Sequence, residues 1–213
     1  MSAPEPAIIS AACRELAGRD EVLARAYAEI GVPVWRATDA NYETLARAVA
    51  YQLISTIAAA AIWARVLTFL GNDVSAQKVL AVDEAGLRDC GMSRPKVAHM
   101  RSIAAAVTSG ALCFERVQTC DPDTARKELL SVKGIGPWTA DLFLMNAVGH
   151  VDAFPIGDVG VMQAYKQLSK AETRHSAKDF TALAEHWRPF RGVAAHLLWG
   201  WLNAQRGAQT ETP

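Results

Sequence analysis

Leu129-Leu130-Ser131-Val132-Lys133-Gly134-Ile135-Gly136-Pro137-Trp138-Thr139-Ala140 is the stretch from which the fold of this 213-residue chain is read. Apolar residues at Leu130, Val132, Ile135 and Ala140 flank a Gly-Ile-Gly turn. Gly134 and Gly136 permit a tight turn and close backbone approach, and Pro137 suits the first position of a following helix, where its missing N–H costs nothing. The run reads as helix, hairpin, helix over 123–148. Amides around such a hairpin lie at a helix N-terminus, where unpaired N–H groups and the helix dipole favour an anion such as a phosphate. A Gly-x-Gly turn also joins helices for purely structural reasons, so its surroundings have to decide between the two.

Outward from that run, apolar spacing at three and four recurs along the chain and no alternating strand pattern appears. Hydrophobic residues make up 51% and charged residues 21%, which excludes a disordered or collagen-like chain. The 39 alanines favour closely packed helices, because alanine loses no side-chain entropy on entering one. The fold class expected is all-α. Turn chemistry divides the pattern into about ten helices. One runs from Ser10 to a stop at Gly31, and a long helical region from Asn41 to Leu70 breaks near Ser55-Thr56. Shorter ones follow at 75–81, 83–90 and 93–109, then 123–131, 137–148, 158–170, 176–187 and 190–204, with a frayed tail after Gln205. No linker or internal repeat separates independent domains.

The formal net charge is zero, yet residues 86–140 carry +3, with eight Lys or Arg against five Asp or Glu. The longest apolar candidate for a membrane span, Ile57 to Leu70, is broken by Arg65, and the N-terminal MSAPEPAIIS lacks a basic region followed by an apolar one. A cytoplasmic protein without a membrane association is expected. Cys13, Cys90, Cys113 and Cys120 are scattered with no repeated CxxC, which reads as buried small side chains rather than a zinc site.

About twenty residues past the hairpin comes Val151-Asp152-Ala153-Phe154-Pro155-Ile156-Gly157-Asp158-Val159-Gly160. Taken alone, Asp158 is an N-cap carboxylate worth about 1 kcal/mol. A helix-hairpin-helix followed by a Gly/Pro loop and an Asp at the next helix start resembles the helix-hairpin-helix DNA glycosylase superfamily. Within it the chain is similar to the alkylation-repair branch, the 3-methyladenine DNA glycosylase II type. Tyr51-Gln52-Leu53-Ile54-Ser55, Gly91-Met92-Ser93-Arg94-Pro95-Lys96 with Met100-Arg101, and Trp187-Arg188-Pro189-Phe190-Arg191 through Trp199 extend the resemblance over 41–202.

The resemblance implies a minimal glycosylase core over 1–213, with two helical subdomains flanking a DNA-binding and active-site cleft. One subdomain covers 41–150 and includes the hairpin at 123–148; the other is discontinuous, 10–40 plus 151–205. It implies a catalytic role for Asp158, whose carboxylate stabilises the positive charge growing at C1′ as the N-glycosidic bond breaks, with Asp152 as the fallback. Asp141 reads as a solvated or locally paired carboxylate. Bifunctional relatives carry a lysine two residues after the second hairpin glycine, and this chain has Trp138 there. Base excision by water is therefore expected, without strand cleavage. Lys133 is left as a phosphate-facing or solvated side chain.

Trp138 and Trp199 match positions lining the family's base pocket, where aromatic faces hold a flipped base and attract a cationic one. Core packing would equally account for either ring, and Trp35, Trp63, Trp187 and Trp201 are assigned to packing. Leu142 stands where some relatives have an aromatic. Leu53 matches the wedge that fills the gap left by the flipped nucleotide, against the alternative of an ordinary core leucine. Gly134, Ile135 and Gly136 would bind the DNA backbone through their amides, and Arg94, Lys96 and Arg101 through side chains, although a solvated basic face reads identically. Main-chain carbonyls of Leu130, Val132 and Ile135 match the family's monovalent-cation site for Na+ or K+. No cofactor is required for hydrolysis, and no iron-sulfur cluster is expected, since no cysteine follows Cys120.

The implied partner is double-stranded DNA containing damaged bases, bound by a monomer that is nucleoid-associated in a bacterium. The implied substrates are alkylated purines of the 3-methyladenine and 7-methylguanine type. Two other readings fit the same residues: a glycosylase for deaminated or oxidised bases, and a noncatalytic helix-hairpin-helix protein that recognises distorted DNA.

Overall fold

The structure, a computed structural model, describes residues 3–210. They form α1 (Pro6–Arg19), α2 (Glu21–Ile30), α3 (Tyr42–Tyr51), α4 (Thr56–Phe69), α5 (Ala76–Ala81), α6 (Glu84–Asp89) and α7 (Arg94–Thr108). Then come α8 (Phe114–Thr119), α9 (Pro122–Leu130), α10 (Pro137–Phe143), α11 (Val159–Ser169), α12 (Ala177–Ala184) and α13 (Arg191–Thr210). A π-helical turn, Leu144–Val148, prolongs α10, and a 3-10 turn, Glu185–Trp187, prolongs α12. The fold is all-α, with no strand among the described residues. No helix among them is long and apolar enough to cross a membrane.

Short polar residues open these helices as their chemistry dictates. Asn41 accepts the Thr44 amide at 2.9 Å, Ser55 the Ala58 amide at 3.2 Å and Asp121 the Thr124 amide at 3.0 Å, each satisfying a first-turn donor worth about 1 kcal/mol. The break expected near Ser55-Thr56 is the Ser55 cap.

Four sequence readings are corrected. The helix expected over Ser10–Gly31 is two helices, because Asp20 leaves the helical region (φ −140°, ψ 115°) and caps the amides of Val22 and Leu23. Its other oxygen accepts the Trp187 indole at 2.9 Å and the Tyr165 hydroxyl at 3.3 Å, so tertiary partners hold the break that apolar spacing had bridged. Helix α8 lies in a segment with too few apolar positions to announce itself. The helix expected over 137–148 becomes π-helical after Phe143. Helix α13 runs to Thr210, past the fraying expected after Gln205.

The chain divides into two compact units: residues up to Ala37 together with those from Leu144 on, and Thr38–Phe143. In the second, α7 packs against α3 and α5, with Leu45, Val49, Met100 and Ile103 fully buried. The Tyr42 hydroxyl is spent there on the Met100 carbonyl at 3.0 Å. In the first, α13 packs on α1, α2 and α11, and Phe154, Tyr165, Phe180 and Trp187 form an aromatic cluster with centroids 5.4–6.2 Å apart. That cluster anchors the loop leading to the start of α11.

Candidate functional site

In the first unit, buried Ala153, Phe154 and Pro155 pin the loop that ends in Asp158. Asp158 is the N-cap of α11, and its Oδ1 accepts the Val161 amide at 2.8 Å. The same oxygen accepts the Trp199 indole N–H at 2.9 Å, from the middle of α13. Gly160 makes that meeting possible. A Cβ there would stand 3.2 Å from the Asp158 carboxylate and 3.3 Å from the indole nitrogen, close enough that one of them would have to give by a few tenths of an ångström.

Trp199 is itself held in place by neighbours. The Arg36 guanidinium lies over its ring, 5.4 Å from the centroid. Burial lowers the Arg36 pKa while the charge of Asp158 opposes that shift, so cation and carboxylate feel one another across the indole. Trp35 stacks on His196 at 3.9 Å, and His196 meets Trp199 edge-on at 5.6 Å. Burial pushes His196 down to about 4, so at neutral pH the ring is uncharged and its Nδ1–H donates to the Gly192 carbonyl at 2.9 Å. The adjacent pair Trp35-Arg36 thus docks on His196 and Trp199, three residues apart on one helix face. A cavity of about 300 Å³ beside this contact is lined by Val32, Pro33, Arg36, His196, Gly200 and Asn203 among others.

The other acidic candidates have structural work. Asp152 accepts from Arg191 at 3.0 and 2.9 Å and from Arg188 at 2.7 Å, while Glu185 bridges the same two arginines. The Asp152 oxygens tie the loop to the start of α13, so this fallback carboxylate is already engaged by two arginines. Asp141 is locally paired, with Arg126 at 2.7 Å, but it is 4% exposed rather than solvated.

The second unit holds the hairpin. The Ile135 amide donates to the Val132 carbonyl at 3.1 Å, and Gly134 turns the chain at φ +103°. Gly134 also rests on α7: a Cβ would lie 2.6 Å from that of His99. Gly136 has no positive φ, and open space surrounds the place its Cβ would occupy. The tight turn is therefore carried by Gly134 alone, and Gly136 leaves its surroundings clear. Trp138, half-buried, stands in the first turn of α10, and Lys133 is exposed at the hairpin.

The α3–α4 turn belongs to the same unit. Leu53 is no core leucine: its side chain is 103% exposed and its backbone left-handed at φ +59°. For a residue with a Cβ that conformation costs about 1–2 kcal/mol. Ile54 and Ile57 stand exposed beside it, at 39% and 84%. Gln52 at the base of the turn donates to the Thr139 hydroxyl of α10 at 2.8 Å.

Of the basic side chains expected on the DNA backbone, only Arg94 is plainly exposed. Lys96 donates to the Ala50 carbonyl at 2.8 Å, near the C-terminus of α3. Arg101 is corrected more firmly. Its guanidinium caps the end of α5 through the carbonyls of Val79 and Val82, both at 3.0 Å, and pairs with Glu84 at 3.1 Å. Trp187 and Trp201 are buried rings whose indole N–H groups donate to Asp20 and to the exposed Glu29.

Sequence reasoning passed over Arg36 and His196, which bear on Trp199, and Ile57 beside the exposed leucine, and it assigned Trp35 to packing without a partner. The available signal was Trp35-Arg36 itself, a large ring and a cation adjacent in a tract too irregular for a helix. Nothing in the sequence says which rings such a pair will meet.

Among the described residues no group of three His, Cys, Asp or Glu could hold a metal ion. Residues 46–189 match the model of the HhH-GPD superfamily of base excision DNA repair proteins. The chain is 30% identical to DNA-3-methyladenine glycosylase 1 of Schizosaccharomyces pombe, over 74% of this chain and 71% of that protein. A DNA-3-methyladenine glycosylase of Bacillus subtilis is 28% identical, over 58% of this chain but 41% of its own length. The crystal structure of the S. pombe 3-methyladenine DNA glycosylase in complex with abasic DNA superposes with a TM-score of 0.82 at 29% identity, covering 88% of this chain and 94% of that one.

Proposed function

The chain belongs to the HhH-GPD superfamily of base excision DNA repair proteins, and from that membership we propose that it is a monofunctional DNA glycosylase for alkylated purines. The observation that carries the reading is the Asp158 carboxylate, fixed by the Val161 amide and the Trp199 indole on a single oxygen. An N-cap needs only the first of these. The second donor, brought from α13 past Gly160, aims the carboxylate.

In this reading Asp158 stands beside C1′ of the flipped nucleotide. As the N-glycosidic bond breaks, positive charge grows on the sugar and the preorganised carboxylate stabilises it. The bonding pair leaves with the base; water adds to C1′ and gives up a proton, for which Asp158 is the acceptor. A 3-methyladenine or 7-methylguanine base already carries positive charge, so it departs neutral without a general acid. Trp138 and Trp199 offer flat faces to the extruded base. The Ile135 amide closes the turn on the Val132 carbonyl, so the hairpin amides of Gly134 and Gly136 receive a phosphate, aided by Arg94 and the open space at Gly136, and Leu53 enters the gap in the stack. The main-chain carbonyls of Leu130, Val132 and Ile135, neutral hard oxygens, suit Na+ or K+ at the hairpin rather than a transition metal. The partner is double-stranded DNA carrying damaged bases, met by a monomer, at the nucleoid if the cell is bacterial.

The test is base release from methylated duplex DNA with the freed bases identified. The reading requires 3-methyladenine or 7-methylguanine in the soluble fraction and strand breaks that appear only on heating or alkali. Release of uracil, hypoxanthine or oxidised bases instead would move the chain to another specificity. Binding without any release would make it a lesion-recognition protein.

A further inference from the structure

We propose that Gln52 is a positioning residue that ties the wedge to the hairpin helix, so that seating the hairpin on DNA sets the direction in which Leu53 enters the stack. Three observations meet at this place in the Thr38–Phe143 unit. Gln52 is the C-cap of α3 and its side chain donates to the Thr139 hydroxyl at 2.8 Å. Thr139 is 1% exposed and lies in the first turn of α10, three residues past Gly136. Immediately after Gln52, Leu53 turns left-handed and projects wholly into solvent.

An exposed leucine has no packing of its own to direct it. The chain on its C-terminal side restarts at the Ser55 cap, and on its N-terminal side the last side chain that grips the unit is Gln52. The buried Thr139 end of that grip sits on the helix whose N-terminus follows the hairpin. A hydrogen bond there transmits the position of α10 to the turn over two residues of backbone, a short and stiff path. The inference rests on the DNA-flipping part of the reading above, but not on its chemistry.

The experiment is 2-aminopurine fluorescence beside a tetrahydrofuran abasic site in duplex DNA at saturating protein, which reports opening of the stack without requiring excision. Thr139→Val removes the acceptor at nearly constant volume, Gln52→Ala removes the donor, and Thr139→Ser keeps the hydroxyl. The expected result is an opening equilibrium about tenfold weaker in Thr139→Val and in Gln52→Ala, no further loss in the double variant, and wild-type behaviour in Thr139→Ser. Binding to undamaged duplex, read at the same salt, should stay within about twofold, since phosphate contacts dominate it. Independent, additive losses in the two single variants, an undiminished signal in either, or a wild type that does not open the duplex would each overturn the link. A wild type that opens DNA through this link yet excises no base would retain the inference and sink the alkylpurine reading, so the two failures are told apart.

Discussion

The start of α11 and the turn between α3 and α4 are both short polar-to-helical junctions, and they are built in opposite ways. At the first, Asp158 is held by an amide and an indole. That indole is covered by Arg36 and flanked by His196, which Trp35 stacks upon. At the second, Leu53 has no cover at all and a left-handed backbone, and one hydrogen bond from Gln52 steadies it. Groups that act on developing charge gain from being fixed before substrate arrives, because nothing then reorganises during the reaction. A wedge gains from being left unpaired, because its packing partners are the bases it displaces.

The largest effect should come from breaking the first junction at its oxygen. Asp158→Asn keeps a good N-cap, so thermal stability should stay within about 1 kcal/mol. Single-turnover excision should fall by about 10³ or more. Wild-type turnover by the folded variant would remove Asp158 from the chemistry.

Next in size is a pH effect on the same scaffold. His196 is neutral when folded, with a pKa of about 4, and titrates near 6.5 when unfolded. The unfolded chain therefore binds the proton first as pH falls, and stability is lost from about pH 6.5 down to about pH 4. The total contribution is up to about 3 kcal/mol, from the linkage slope of 1.36 kcal/mol per pH unit. Urea titrations across that range should show the decline, and His196→Leu should remove its part of the slope. A slope unchanged in the variant would place the acid sensitivity elsewhere.

Asp152 sharpens the contrast between the carboxylate proposed to react and one that ties a loop to a helix start. Asp152→Asn leaves Arg191, mostly buried, with Glu185 as its remaining charge partner and should cost about 2 kcal/mol, a figure reduced for the exposure of Arg188. Below the melting temperature, excision by this variant should match wild type; a loss comparable to that of Asp158→Asn would restore Asp152 as a catalytic candidate.

The smallest effect runs in two directions at once. Leu53→Gly removes no buried surface and relieves the left-handed backbone, so stability should rise by up to about 1 kcal/mol. Excision from duplex DNA should fall about tenfold, while excision from single-stranded DNA, where no stack has to be opened, should hardly change. An equal fall on both substrates would mean that Leu53 does not act as a wedge.

Much of this was legible in the residues themselves. Helix starts at Asn41 and Ser55 were legible because a short polar side chain satisfies an amide three residues away, an interaction as local as sequence itself. The hairpin was legible for the same reason. Asp20 shows the limit: an acid in continuous apolar spacing reads as a surface residue, and only Trp187 and Tyr165, distant in the chain, make it a break. Arg101 read as a DNA-backbone contact and Asp152 as a fallback carboxylate because the carbonyls and arginines that occupy them arrive from other elements.

By itself, then, the sequence determined an all-α chain, the Gly134 turn and a carboxylate at the start of α11, since each depends on neighbours within a turn or two. Tertiary structure alone decided that Asp158 has a second donor in Trp199, that Arg36 lies over that indole and that Leu53 stands exposed on a turn tied to Thr139. Those relations are set by which helix faces pack together, and packing depends on the fit of many side chains at once rather than on the identity of any one.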